Sequence, residues 1–207
     1  MNRRIPVIVA GSLLAAALLG SASGVEAQRQ FGTQPPKTWA GVYGLMYTSV
    51  SGMRDPGSQS RWLFDDAAFG GGAFVQRQVG QSLRLGVDGS VARPKFERRN
   101  LTTDLIEASG TASIATAMAT GRYGYSGGSD IGFYLAGGIG AVAYQLGELD
   151  WNADFALQAG TGLEYRFGGN KALALEWGRT WGYHEKEDLG GGNQTHSALR
   201  LGLGFGF

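Results

Sequence analysis

Cysteine is absent from all 207 residues, so no disulfide staples this chain and no thiolate can ligate a metal or attack a substrate. Proline is scarce, at 5, which excludes a Pro-rich disordered tract. The 36 glycines far exceed the usual share of about 7%, yet they follow no triplet period, which excludes collagen. Beyond residue 27 no run is long and apolar enough for a membrane-spanning helix. Histidine is limited to His184 and His196. "HEKED" lacks the HExxH spacing, so no metal site and no cofactor are expected.

The first 27 residues read as a cleaved signal peptide. "MNRR" is basic, "IPVIVAGSLLAAALLG" apolar, and "SASGVEA" ends in small residues with a cut expected after Ala27. Arg3, Arg4 and Glu26 would leave with it. That reduces 18 basic and 17 acidic residues to 16 of each, with no formal net charge. A neutral chain gives no bulk electrostatic reason to bind nucleic acid.

What the sequence has in plenty is alternation, the period of extended strands. "DFALQAGTGLEYRF" (154–167) sets Phe155, Leu157, Leu163, Tyr165 and Phe167 against Asp154, Gln158, Glu164 and Arg166. "ALALEWGRTW" (172–181) sets Leu173, Leu175, Trp177 and Trp181 against Glu176. "SALRLGLGFGF" (197–207) sets Leu199, Leu201, Leu203, Phe205 and Phe207 against Arg200. Similar patterns cover 39–49, 67–78, 82–92, 111–125 and 131–145. In the first, Trp39, Tyr43, Leu45 and Tyr47 share the apolar face; in 111–125, Arg122 is placed inside with Tyr123 and Tyr125 outside. "GGIGAV" (137–142) is a weak dinucleotide fingerprint, and the alternation after it reads as strand.

Eight strands, each near the length of about 9 to 11 residues that a tilted membrane strand needs, predict an all-β, eight-stranded antiparallel up-and-down transmembrane barrel. Long polar segments (50–66, 93–110, 182–194) alternate with short turns. Trp39, Tyr123, Tyr125, Tyr165, Phe167, Trp177, Trp181 and Phe207 fall near strand ends, as interfacial girdles do. A soluble β-sandwich shares the alternation and stays open as the alternative fold.

"GTGLEYRFGGNKALALEWGRTWG" (160–182), followed by an aromatic-ended strand, resembles the small eight-stranded outer-membrane barrels of Gram-negative bacteria, of OmpA or OmpX type. The resemblance implies a bacterial outer-membrane location and a periplasmic lead-in at 28–38 before a barrel at 39–207. It further implies that Leu201, Leu203, Phe205 and Phe207 form the C-terminal signal read by the barrel-assembly machinery. In that family, glutamates at the places of Glu164 and Glu176 join basic residues in a salt-bridge plug.

Arg84, Asp88, Arg122, Asp154, Glu164, Arg166, Glu176 and Arg200 are expected to face the lumen as a balanced charge network, since buried charges must be paired. In 93–110, Arg93, Lys95, Phe96, Arg98 and Arg99 form a candidate contact surface for lipopolysaccharide phosphates or a host or surface ligand. No catalytic set is expected: His196 and Ser197 are adjacent and would point to opposite faces. The expected role is non-enzymatic, in envelope integrity and surface contact, among outer-membrane lipids and lipopolysaccharide. A narrow or gated solute channel and a lipid A-modifying enzyme stand as alternatives.

Overall fold

Alternation becomes strand along most of the chain. The computed structural model describes residues 38–50, 60–64, 67–125, 130–147, 151–167, 170–183 and 194–207. The expected signal peptide, nearly all of the lead-in, most of 182–194 and the side chain of Tyr125 lie outside them. Among the described residues ten strands form: β1 (Thr38–Val50), β2 (Ser60–Phe64), β3 (Ala68–Gln78), β4 (Leu83–Ala92), β5 (Lys95–Asn100), β6 (Ile106–Tyr125), β7 (Ile131–Leu146), β8 (Asn152–Phe167), β9 (Lys171–Tyr183) and β10 (Gln194–Gly206).

Eight of them close a ring in the order β1-β3-β4-β6-β7-β8-β9-β10, with β10 back against β1. Every pairing around the ring is antiparallel. The seam is tied to its end, where the amide of Thr38 donates to the Phe207 carbonyl at 2.9 Å and that of Phe207 to Thr38 at 2.8 Å. Closure leaves no unpaired edge, a requirement where hydrocarbon replaces water. The strand ends flanking the short connections lie at the end where Thr38 meets Phe207, the seam end, and those flanking the longer segments at the opposite, loop end.

The outer face is apolar and exposed: Phe69, Leu85, Val91, Tyr123, Phe133, Leu135, Ile139, Leu163, Leu175, Trp177 and Leu201 all point away from the ring. The inner face buries Gln76, Arg84, Asp88, Arg122, Gln158, Glu164, Glu176 and Arg200. This is the reverse of a sandwich, where the apolar faces are the hidden ones, and it makes the fold an eight-stranded transmembrane barrel.

Three expectations change. On β1 the apolar face holding Trp39, Tyr43, Leu45 and Tyr47 is the lumen face, each residue 6% exposed or less, while Val42 faces outward. Trp39 therefore belongs to no girdle. Its ring lies under the Arg84 guanidinium at 5.7 Å, because a narrow barrel must fill its interior and rings fill it while solvating cations. The strands are also longer than the minimum, β6 reaching 20 residues and β7 and β8 16 each. Finally, the polar segments 50–66 and 93–110 contain β2 and β5, which pair with each other and, through β5, with the start of β6 as a sheet on the rim.

Lumen rings need room from the wall. A Cβ on Gly162 would collide with the ring and hydroxyl of Tyr134 and with the Leu175 carbonyl, whereas one on Gly44 would meet nothing within 4 Å. Gly162→Ala is thus expected to lower stability by about 1–3 kcal/mol. Gly44→Ala should leave it unchanged. Urea unfolding of the barrel in lipid vesicles measures both, and equal effects would show that the lumen has slack at Tyr134.

The charged lumen as candidate functional site

Alternation aims each lumen side chain inward, and the register brings them to two linked levels. Near the seam end, Glu164 on β8 takes Arg84 Nη2 of β4 on Oε2 at 2.7 Å and Arg166 Nε on Oε1 at 2.8 Å. At mid-height, Glu176 on β9 takes Arg122 Nη2 of β6 on Oε2 at 2.9 Å and Arg200 Nη1 of β10 on Oε1 at 3.3 Å. Arg200 also lies 3.7 Å from Asp88 on β4. With its amide oxygen turned to the guanidinium, Gln158 accepts from Arg200 Nη1 and Nη2 at 2.9 and 3.0 Å.

Hydroxyls and rings complete these pairs. Tyr43 donates to Asp88 Oδ1 at 2.7 Å, and Tyr134 donates to Glu176 Oε2 at 3.1 Å. The Arg122 guanidinium is sandwiched between Phe74 at 5.1 Å and Tyr134 at 5.0 Å, and Arg200 covers Tyr43 at 5.1 Å. All eight barrel strands contribute a residue. Arg84 and Arg122 stand directly opposite each other on β4 and β6, two like charges that would repel if each were not held by its own glutamate from across the lumen.

Of the eight charges named from the sequence, Arg84, Asp88, Arg122, Glu164, Glu176 and Arg200 meet in the buried core. Arg166 is half exposed at the turn end. Asp154 is buried near the loop end of β8, opposite Val142. Tyr43, Phe74, Tyr134 and Gln158 were not expected in that network, although Gln158 lay on the polar face of its strand. Tyr134 had a signal, since it alternates with Phe133 and Leu135; Tyr43 had none, because β1 is apolar on both faces.

At the centre Gln76, Asp88, Thr120, Arg122, Gln158, Glu176 and Arg200 line a cavity of about 10 Å³, close to the least that holds one water molecule. The lumen here is a filled core. His196 points inward against Tyr47, their rings 4.9 Å apart edge to face, while Ser197 is on the outer face. His184 lies outside the described residues.

The rim sheet rearranges the loop cluster. Phe96 is buried, its ring 5.1 Å from Trp62 and packed on Gly110, so it is a packing residue and not a contact. Arg98 lies over Trp62 at 5.5 Å and 3.4 Å from Glu107; Arg99 pairs with Glu97 at 2.8 Å and Asp104 at 3.6 Å. Arg93 and Lys95 are exposed. Beyond the top of β4, Ser60 and Asn100 donate to Glu107 at 2.7 and 2.9 Å, and these bonds hold its carboxyl below the usual range. At the other end Leu201, Leu203, Phe205 and Phe207 form an exposed apolar comb on the outer face.

Two results are expected. Glu176→Gln leaves Arg122 and Arg200 short of countercharge and should cost about 3–5 kcal/mol, much of it regained when Arg122 is also made Met; no recovery in the double variant of a urea-unfolding cycle would dissolve the pairing. Glu107, its folded pKa depressed, supports the rim sheet above the ordinary glutamate range, and that support is lost as pH falls through the folded value. Carbon NMR of its carboxyl should give a midpoint below that of an exposed glutamate, and a midpoint at or above it would refute the bonding.

No family model matches the chain, and no curated protein matches it. Among solved structures it is similar to the Neisserial surface protein A (NspA), at 15% identity and a TM-score of 0.54, over 83% of this chain and 97% of that one. It is similar also to the outer membrane protein OprG from Pseudomonas aeruginosa, at 13% identity and 0.54, over 83% and 95%. At such identities the likeness is one of fold, and the fold of this chain is that of the small eight-stranded transmembrane barrels to which these two proteins belong.

Proposed function

We propose that the protein is a non-enzymatic barrel of the bacterial outer membrane, exported by a cleaved signal peptide at 1–27, that supports envelope integrity by its wall and makes surface contacts at its loop rim. One observation carries the reading: a predominantly apolar outer face surrounds a lumen plugged by paired charges and rings. Such a body has a lipid-facing wall and a rim to work with, and among the described residues its lumen is filled. The central cavity of about 10 Å³ argues against conduction as the main role, and His196 and Ser197, on opposite faces, argue against a shared proton in catalysis.

NspA is a surface protein and OprG an outer membrane protein, which accords with this location. Lipids and lipopolysaccharide surround the wall in this reading. Arg93 and Lys95 face the headgroup level or a host ligand, and the Leu201, Leu203, Phe205, Phe207 comb is read by the assembly machinery during insertion.

The test is detergent resistance of a deletion strain carrying either the intact protein or one with 93–110 and 182–194 replaced by short turns. Both should restore resistance, and only the intact form should bind surface ligands. If neither restores it at equal amounts in the membrane, the integrity role fails.

A further inference from the structure

The outer face of β9 is apolar from Leu173 through Leu175 to Trp177, and it becomes aromatic again at Trp181 and Tyr183. Arg179 interrupts it. The residue is exposed on the outer face, two positions from Trp177 and two from Trp181, and four short of the strand's end. The other cations in outward register on the barrel strands, Arg77 and Lys171, stand within two residues of strand ends on the turn side, where the wall leaves the apolar belt.

Polar groups collect around Arg179. Its register partners are Ser197 on β10 and Ala159 on β8, and Ser197 in turn faces Ser49 on β1. Arg179 Nη2 donates to Thr195 Oγ1 at 3.4 Å, Thr48 donates to the Ser197 carbonyl at 3.4 Å, and the guanidinium lies 5.9 Å from the Trp181 ring. Together these make a polar notch in the loop-end part of an apolar wall. Among the described residues the polar and ring contacts of Arg179 are with Thr195 and Trp181, neither of them an acid.

A guanidinium turned toward hydrocarbon is costly near the midplane and cheaper toward the interface, and it settles where an anion can meet it. Its planar fork suits two oxygens of one phosphate, and among the described residues it is Nη2 that bonds Thr195. From the comparison of charge and surroundings we infer that Arg179, with Thr195 and Ser197, binds the phosphate of a phosphorylated lipid in the leaflet at the loop end, whose acyl chains run down over Trp177, Leu175 and Leu173. A lipid is the occupant because the residues below the notch are apolar and exposed; a free anion would gain nothing from them. The inference rests on the outer-membrane reading above.

The experiment uses the full chain in phosphatidylcholine nanodiscs doped with lipid A, or with lipid A stripped of its phosphates, and counts co-purified lipid by mass spectrometry. Wild-type protein should retain the phosphorylated form and Arg179→Gln about tenfold less of it. Arg179→Lys, keeping the charge without the fork, should fall between them. The side chain faces outward, so both variants are expected to unfold in urea as the wild type does. Equal retention by Arg179→Gln, equal retention of the stripped lipid, Lys no better than Gln, or displacement of the lipid by millimolar inorganic phosphate would each overturn the inference. A wild-type chain that does not enter the nanodisc would instead bring down the membrane reading itself.

Discussion

Backbone amides and carbonyls that face hydrocarbon have no water to turn to, and the rest of this structure follows from that. The ladder must close, so β1 meets β10 and the amides of Thr38 and Phe207 are exchanged across the seam. Eight strands close around an interior only wide enough for side chains, so it has to be filled. Filling it from inner faces that carry arginine and glutamate is tolerable only if every charge is answered. The middle and turn end of the lumen are therefore a core built from ion pairs, hydroxyls and rings, while Leu45, Ile114, Met118, Val142 and Leu146 fill it toward the loop end.

Arginine suits this interior better than lysine would. Its flat cation is solvated on its faces by Phe74 and Tyr134 or by Tyr43, while its edge donates to carboxylates, so the two modes do not compete. Each carboxylate likewise serves two cations: Glu164 takes Arg84 and Arg166, Glu176 takes Arg122 and Arg200. Removing one partner leaves another buried charge without its answer, which is why such networks are costly to break though not necessarily large net contributors.

The sequence was most legible where the two faces differ in chemistry. In β8, β9 and β10 leucines and aromatics alternate with Glu164, Glu176, Arg200 and glycine, so strand, face and membrane role were all readable. In β1 both faces are apolar, and alternation marks the strand without saying which side meets lipid; Trp39 was misplaced for that reason. The rim strands escaped because "SRWLF" and "KFERRN" do not alternate, and their pairing partners lie far along the chain. Which arginine finds which glutamate depends on shear around the ring, a property no single strand encodes. Arg84 and Glu164 are 80 positions apart.

The lumen pairs also act as spokes inside a hoop. A strand that slid two residues past its neighbour would keep all its apolar side chains facing outward and would recover most of its ladder bonds, because both patterns repeat every second residue. The hoop is nearly indifferent to such an error. The spokes are not: a two-residue slip of β9 would carry Glu176 about 7 Å along the strand, away from Arg122, Arg200 and the Tyr134 hydroxyl together. The outside of this barrel thus specifies that a strand belongs in the wall, and the inside specifies where along the wall it stops.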